Sequence, residues 1–160
     1  NLNIRISIYG KDVLTRKFFF IKTNYSEYLK DIISKKKISK IIKIHGFTSK
    51  PEDKLKKANL LIHPSRNNDP WSRTIIEAMT LGVPVISHGQ YNKFVKNNET
   101  GFLLNEWDLR EYANLIIKLS SNKGKLKCIS KNAKKFAKEN FNPKKYQFKL
   151  ENIYKLLKNK

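Results

Sequence analysis

Asp69-Pro70-Trp71-Ser72-Arg73-Thr74-Ile75-Ile76-Glu77-Ala78-Met79, continuing into Leu81-Gly82-Val83-Pro84-Val85-Ile86-Ser87, is the stretch from which the fold is read. Pro64 to Pro70 carries the residues of a loop. Ser72 can cap a helix that runs through about Leu81, and Gly82 suits its carboxyl end. Val83 to Ser87 then reads as a buried strand. Upstream, Leu60 to His63 is another buried strand. A strand, a helix and a strand within such a short span, both strands apolar, are the signature of parallel strands covered on two faces.

The same alternation extends outward. Residues 3–9 alternate β-branched and polar side chains and predict a strand ended by Gly10. Tyr25, Leu29, Ile32 and Ile33 recur at helical spacing and predict a helix over 25–37. Ile41 to His45 predicts a strand closed by Gly46, Pro51 opens a short helix to about Ala58, and Gly101 to Leu104 predicts the last strand. After Asp108 the pattern turns wholly helical, with helices over 109–119, about 125–139, and from Pro143 to Leu157. The expected fold is α/β: a Rossmann-like parallel sheet with helices on both faces, followed by C-terminal helices. One domain is expected over residues 1–160, its α/β core over about 1–107 and its closing helices over about 108–160.

Composition narrows the function classes. The chain has 160 residues, 39% of them hydrophobic, a globular composition. No apolar run approaches the ~18 residues of a membrane span; the densest cluster is Phe18-Phe19-Phe20-Ile21. The one cysteine, Cys128, excludes an intrachain disulfide framework and suits a reducing, cytoplasmic compartment. No signal-peptide pattern is present, and a start at Asn1 rather than Met reads as a fragment. The net charge of +21 attracts anions: acidic lipid, nucleic acid or phosphorylated ligands. The plain reading is compositional, because most basic residues are Lys in a chain also rich in Asn and Ile, types that an AT-rich genome supplies readily. A nucleic-acid module is disfavoured, as no reader motif and no basic–aromatic stripe is present.

Ligands of open α/β sheets bind beyond the carboxyl ends of the strands. Three such ends are legible: His45-Gly46-Phe47-Thr48, His63-Pro64-Ser65 and Ser87-His88-Gly89. The loop after His63 leads into the helix start at Ser72, whose first N–H groups lack internal partners and form a natural anion site. Arg73 in that first turn is placed against the helix dipole, and it precedes Glu77 in the poorer order for an i,i+4 ion pair. Either the two form a solvated pair, or a bound anion such as a diphosphate compensates Arg73. Glu77 and Asp69 are carboxylates able to accept hydrogen bonds from sugar hydroxyls. The three histidines lack metal-type spacing.

The stretch from Asp69 to Met79 resembles the acidic-x7-Glu motif of the family 4 (group 1) glycosyltransferases of GT-B fold. Its flanks are similar too: Ala58-Asn59-Leu60-Leu61-Ile62-His63-Pro64-Ser65 before it, Leu81-Gly82-Val83-Pro84-Val85-Ile86 after it, and Thr100-Gly101-Phe102-Leu103-Leu104 beyond. The resemblance implies the C-terminal, nucleotide-sugar-binding half of a retaining hexosyltransferase of glycan or cell-surface polysaccharide synthesis. By that resemblance Glu77 would hold the donor ribose, and Asp69 the hexose hydroxyls. The backbone of Trp71, Ser72, Arg73 and Thr74 would meet sugar and diphosphate, Gly46, Phe47 and Thr48 the base, and His88, Gly89 and Lys93 would form a further sugar or phosphate loop.

The donor would be a UDP- or GDP-sugar, with no cofactor and no metal. The acceptor, a glycan or a lipid-linked glycan, would bind an N-terminal domain that, with this domain's own first strand, precedes residue 1. The chain alone is then expected not to turn over. Asp69 replaces the usual Glu, Ser72 a Gly, and Lys93 stands where Glu is common, so a degenerate, non-catalytic scaffold is the alternative. The thirteen Lys of residues 123–160 would form either a merely solvated face, the plainer reading for a cytoplasmic protein, or a basic face suited to an anionic membrane surface at the inner face of the cytoplasmic membrane.

Overall fold

The computed structural model of the chain describes residues 4–11, 14–17, 21–65, 72–90 and 93–158. They form two compact units, residues 1–51 and 52–160. The first contains β1 (Ile6–Tyr9), β2 (Leu14–Lys17), β3 (Ile21–Asn24), α1 (Tyr25–Lys35) and β4 (Ile42–Gly46). β1 and β4 pair in parallel, Ile6 opposite Ile42 and Ile8 opposite Ile44. The isoleucines are half-buried while Ser7, Lys43 and His45 between them are exposed, the two-residue period of a strand with one covered face. β2 and β3 form an antiparallel pair that the sequence reading does not contain. Each is four residues long and carries Lys or Arg, too short for alternation to register. The expected strand residue Asn3 and the aromatics Phe18 to Phe20 lie outside the described residues.

From Pro51 onward run α2 (Pro51–Leu55), β5 (Leu61–His63), α3 (Arg73–Leu81), β6 (Val85–His88), β7 (Phe102–Leu104), α4 (Leu109–Ser120), α5 (Lys123–Asn140) and α6 (Pro143–Lys158). β5, β6 and β7 form a parallel sheet in that order. Its side chains divide between two cores. Val85 and Leu103 pack with Ile75, Ala78 and Met79 of α3 and with Ala133 and Ala137 of α5. Ile86, Phe102 and Leu104 pack with Tyr112 and Leu119 of α4 and Ile129 of α5. Burial on both faces is why these strands read as unbroken apolar runs. The expected Rossmann-like arrangement with C-terminal helices is thus observed.

β6 begins two residues later than its apolar run. Gly82 adopts a left-handed backbone (φ 75°) and donates to Met79 O, while the Val83 N–H donates to Ala78 O, so Val83 still closes the helix. Pro84 then has no N–H to give a ladder. α5 packs closely here: Ser130 Oγ donates to Gly82 O at 2.5 Å. The turn before β7 is equally tight. A Cβ on Gly101 would lie 2.7 Å from Val95 Cγ1 and 2.9 Å from the Val85 carbonyl oxygen. Buried Thr100 donates to Phe94 O at 2.7 Å and accepts the Lys96 N–H at 2.9 Å. Residues 94–101 are therefore a braced loop.

Tyr112 lies in the second core with its hydroxyl buried and without a hydrogen-bond partner among the described residues. Burial, and secondarily the charge of Glu111, pushes its phenol up to about 12 from the usual 10. The folded state thus holds this proton more tightly than the unfolded chain. Its stabilising contribution is complete below about pH 10 and is lost as pH rises from 10 toward 12. Tyr112→Phe should leave neutral-pH stability equal or slightly higher, since an unmade buried hydrogen bond is removed. It should also reduce the loss of stability between pH 10 and 12, as read from urea midpoints of the two proteins side by side.

α6 buries none of its described residues. Tyr146, Phe148, Leu150, Ile153, Tyr154, Leu156 and Leu157 are all exposed on it.

Candidate functional site

In the second unit the carboxyl ends of β5 and β6 lie side by side, because the strands are parallel neighbours with His63 opposite Ser87. The chain leaves β5 through Pro64 and Ser65, and α3 starts at Arg73. Ser72 occupies the N-cap position and its carbonyl accepts from Ile75 and Ile76, but its side chain makes no capping bond, contrary to the expectation that it caps the helix. Ser72 is instead buried. The amide N–H groups of Arg73 and Thr74 consequently take no hydrogen-bond partner among the described residues. No acidic residue occupies that first turn, so the positive end of the helix dipole is uncompensated by the helix itself.

Arg73 and Glu77 are paired loosely, Nε to Oε1 at 3.8 Å, with the arginine side chain 92% exposed. A pair this long and this solvated contributes little to stability and is free to reorganise around a ligand. Glu77 is half-exposed, turned neither into the core nor fully out to solvent, although its neighbours Ala78 and Met79 are completely buried. Asp69 and Trp71 lie outside the described residues.

His88 closes β6 on the same edge. Its Nδ1 donates to the Ser65 carbonyl at 3.2 Å, and its ring meets the edge of Trp107 at 5.4 Å. A carbonyl can only accept, so Nδ1 carries a proton in this contact; the buried Nε2 has no hydrogen-bond partner among the described residues. His88 thereby fastens the exit of β5 to the exit of β6, and Trp107, which the sequence reading does not single out, packs against it. Gly89 follows with φ 130°, a conformation reserved in practice for glycine, and donates to Leu104 O at 2.9 Å. Lys93 is exposed. Arg73, Thr74 and Glu77 belong to α3 and His88 to β6, with Ser72 directly before α3 and Gly89 directly after β6.

Gly46, Phe47 and Thr48 belong to the first unit, Gly46 ending β4 and the other two following directly. Gly46 has φ 76°, and Phe47 is 73% exposed. Thr48 Oγ1 accepts the Lys50 N–H at 3.2 Å. His45 before them stacks on Tyr9, 4.6 Å between ring centroids, and lies 3.3 Å from Ser7 Oγ. Among the described residues no three His, Cys, Asp or Glu side chains gather as metal ligands would.

The chain is similar in sequence and fold to several known proteins. The chain is 31% identical over 107 residues to the uncharacterized glycosyltransferase MJ1069 of Methanocaldococcus jannaschii, covering 66% of this chain and 27% of that protein. The Alr3699/HepE protein of Anabaena, solved in complex with UDP, superposes with a TM-score of 0.79 at 22% identity, over 95% of this chain and 41% of its own. The same protein has also been solved with UDP-glucose (TM-score 0.73, 24% identity, 86% and 37% covered). Sucrose-phosphate synthase of Thermosynechococcus elongatus superposes with a TM-score of 0.79 at 20% identity, over 96% and 38%. The chain spans well under half the length of each of these proteins. Residues 1–136 match the family described as glycosyl transferases group 1, and the chain belongs to that family.

Proposed function

We propose that the chain is the donor-binding part of a retaining hexosyltransferase, which moves a hexose from a UDP- or GDP-sugar to a glycan or lipid-linked acceptor. The observation that carries this reading is the open first turn of α3: the amides of Arg73 and Thr74 are unpaired among the described residues, and Glu77 stands one turn further on. Amides at a helix start meet a diphosphate, and a carboxylate beyond them accepts from the two ribose hydroxyls. In the same reading Asp69 accepts from hexose hydroxyls and the backbone of Trp71 and Ser72 approaches the sugar. His88, Gly89 and Lys93 flank the sugar or phosphates. The UDP and UDP-glucose complexes of the similarly folded Anabaena protein support a nucleotide-sugar as the ligand.

Catalysis then rests on charge. Departure of the nucleoside diphosphate leaves negative charge on its terminal phosphate. Fixed amide dipoles and cations there stabilise the transition state more than the ground state. No metal or other cofactor is required for this step. The acceptor attacks from the face the leaving group vacates, and its binding belongs to a further domain. Calorimetric titration with UDP-glucose and GDP-mannose should show saturable binding of at least one; binding of neither would contradict the reading.

A second surface favours an anionic membrane as partner, at the inner face of the cytoplasmic membrane. α6 exposes its apolar side chains beside Lys144, Lys145, Lys149, Lys155 and Lys158, and among the described residues no helix is long and apolar enough to cross a membrane. Each lysine near an acidic surface contributes about 1 kcal/mol. Vesicles containing phosphatidylserine should co-sediment the chain and purely zwitterionic vesicles should not; equal recovery with both would remove the idea.

A further inference from the structure

The second unit contains a cavity of about 750 Å³, and of its lining the donor reading uses only Lys93. It lies between the braced loop before β7, the end of α5 and the start of α6. Lys93 and Lys96 line it from the loop, Asn105 from beyond β7, Phe136 and Asn140 from α5, and Tyr146 from α6. Its volume falls within the roughly 300–1,000 Å³ of small-molecule sites.

The lining selects a ligand class. No carboxylate lines the cavity among the described residues, whereas two ammonium groups and several amides do. Neutral sugars are commonly gripped through carboxylate acceptors; this wall offers cations and amide donors instead. A nucleobase would need an open aromatic face on which to stack. Here Lys96 Nζ already stands 5.5 Å over the Phe136 ring, whose flank also meets Phe141 at 5.9 Å, and Lys149 Nζ stands 5.8 Å from the Tyr146 centroid. Lys96 lines the cavity with its side chain half-exposed. Its backbone N–H is fixed by Thr100, and its ammonium is only 3.6 Å from Glu99, a carboxylate 60% exposed whose attraction water screens. The Asn140 amide donates to Phe136 O at 2.9 Å, which leaves its oxygen free to accept a hydroxyl.

We propose that this cavity binds an anionic sugar, a polyol carrying a phosphate or a carboxylate, with Lys96 and Lys93 meeting the charged group and Asn140 and Asn105 meeting hydroxyls. Apart from Lys93, none of these side chains takes part in the donor site proposed above.

The test is calorimetric titration of the chain at fixed ionic strength with glucose 6-phosphate, glucuronate, glucose and inorganic phosphate. Glucose 6-phosphate or glucuronate should bind saturably, the tighter of the two identifying the anion. Lys96→Gln and Asn140→Ala should each weaken that binding, the former by about tenfold, the loss of one charged hydrogen bond. Lys155→Gln, which removes a lysine charge on α6 outside the cavity lining, should leave it unchanged, and so should Glu77→Ala. Failure of both anionic sugars to bind would overturn the proposal. So would equal binding of glucose or of inorganic phosphate, or an equal effect of Lys155→Gln. None of these results depends on whether nucleotide-sugars bind at α3.

Discussion

Truncating Phe102 to Ala is expected to destabilise the fold by about 3–5 kcal/mol, the usual cost of emptying an aromatic site in a core. Phe102 is 1% exposed and heads the fully buried side chains by volume. It sits in β7 among Ile86, Leu104, Tyr112, Leu119 and Ile129, contributed by two strands and two helices. Those elements are pinned from several sides, so they cannot collapse into the void. A domain of this size has about 5–15 kcal/mol in total, so a loss of that order should leave the variant marginal at 37 °C. Urea unfolding followed by circular dichroism should show a much lower midpoint with an unchanged slope. A loss below about 1 kcal/mol would mean that β7 is a solvated edge and not the floor of the second core.

Replacing Glu77 by Ala should remove nucleotide-sugar binding while leaving the fold intact. A carboxylate accepting from ribose hydroxyls makes charged hydrogen bonds of about 1.5–3 kcal/mol, so the affinity should fall roughly 10- to 150-fold. The structural cost should stay within about 0.5 kcal/mol, because the side chain is half-exposed and its only pairing among the described residues is the 3.8 Å contact with Arg73. Glu77→Gln, which keeps one acceptor oxygen, should fall between the two. Undiminished affinity in Glu77→Ala would show that the nucleotide sits elsewhere. A large drop in unfolding midpoint would show that Glu77 serves the fold instead.

Most of the second unit is legible in the sequence because its signals are local and agree with one another. Gly82 marks the end of α3 through a left-handed turn that few other residues accept, and Val85-Ile86 and Phe102-Leu103-Leu104 are apolar throughout because helices cover both faces. The β2–β3 pair is not legible, since Arg16, Lys17 and Lys22 interrupt any alternation. The role of Ser72 is misjudged for a physical reason: residue type permits a cap, but the hydroxyl is buried and the turn is left open. At the site, Arg73, Thr74 and Glu77 are foreseeable from their places on one helix start. The fastening of His88 to Ser65 and Trp107 depends on strand adjacency, which no local spacing encodes. The cavity beside Lys96 depends on α5 returning across the sheet, so Phe136 and Asn140 give no sign of it in sequence.

Backbone amide shifts of the isotope-labelled chain during titration with UDP and with GDP test the anion-binding start of α3 most directly. Arg73 and Thr74, whose N–H groups have no partner among the described residues, should show the largest displacements, saturating together with the calorimetric isotherm. A nucleotide that saturates the protein while the Arg73 and Thr74 amides stay still would contradict the account.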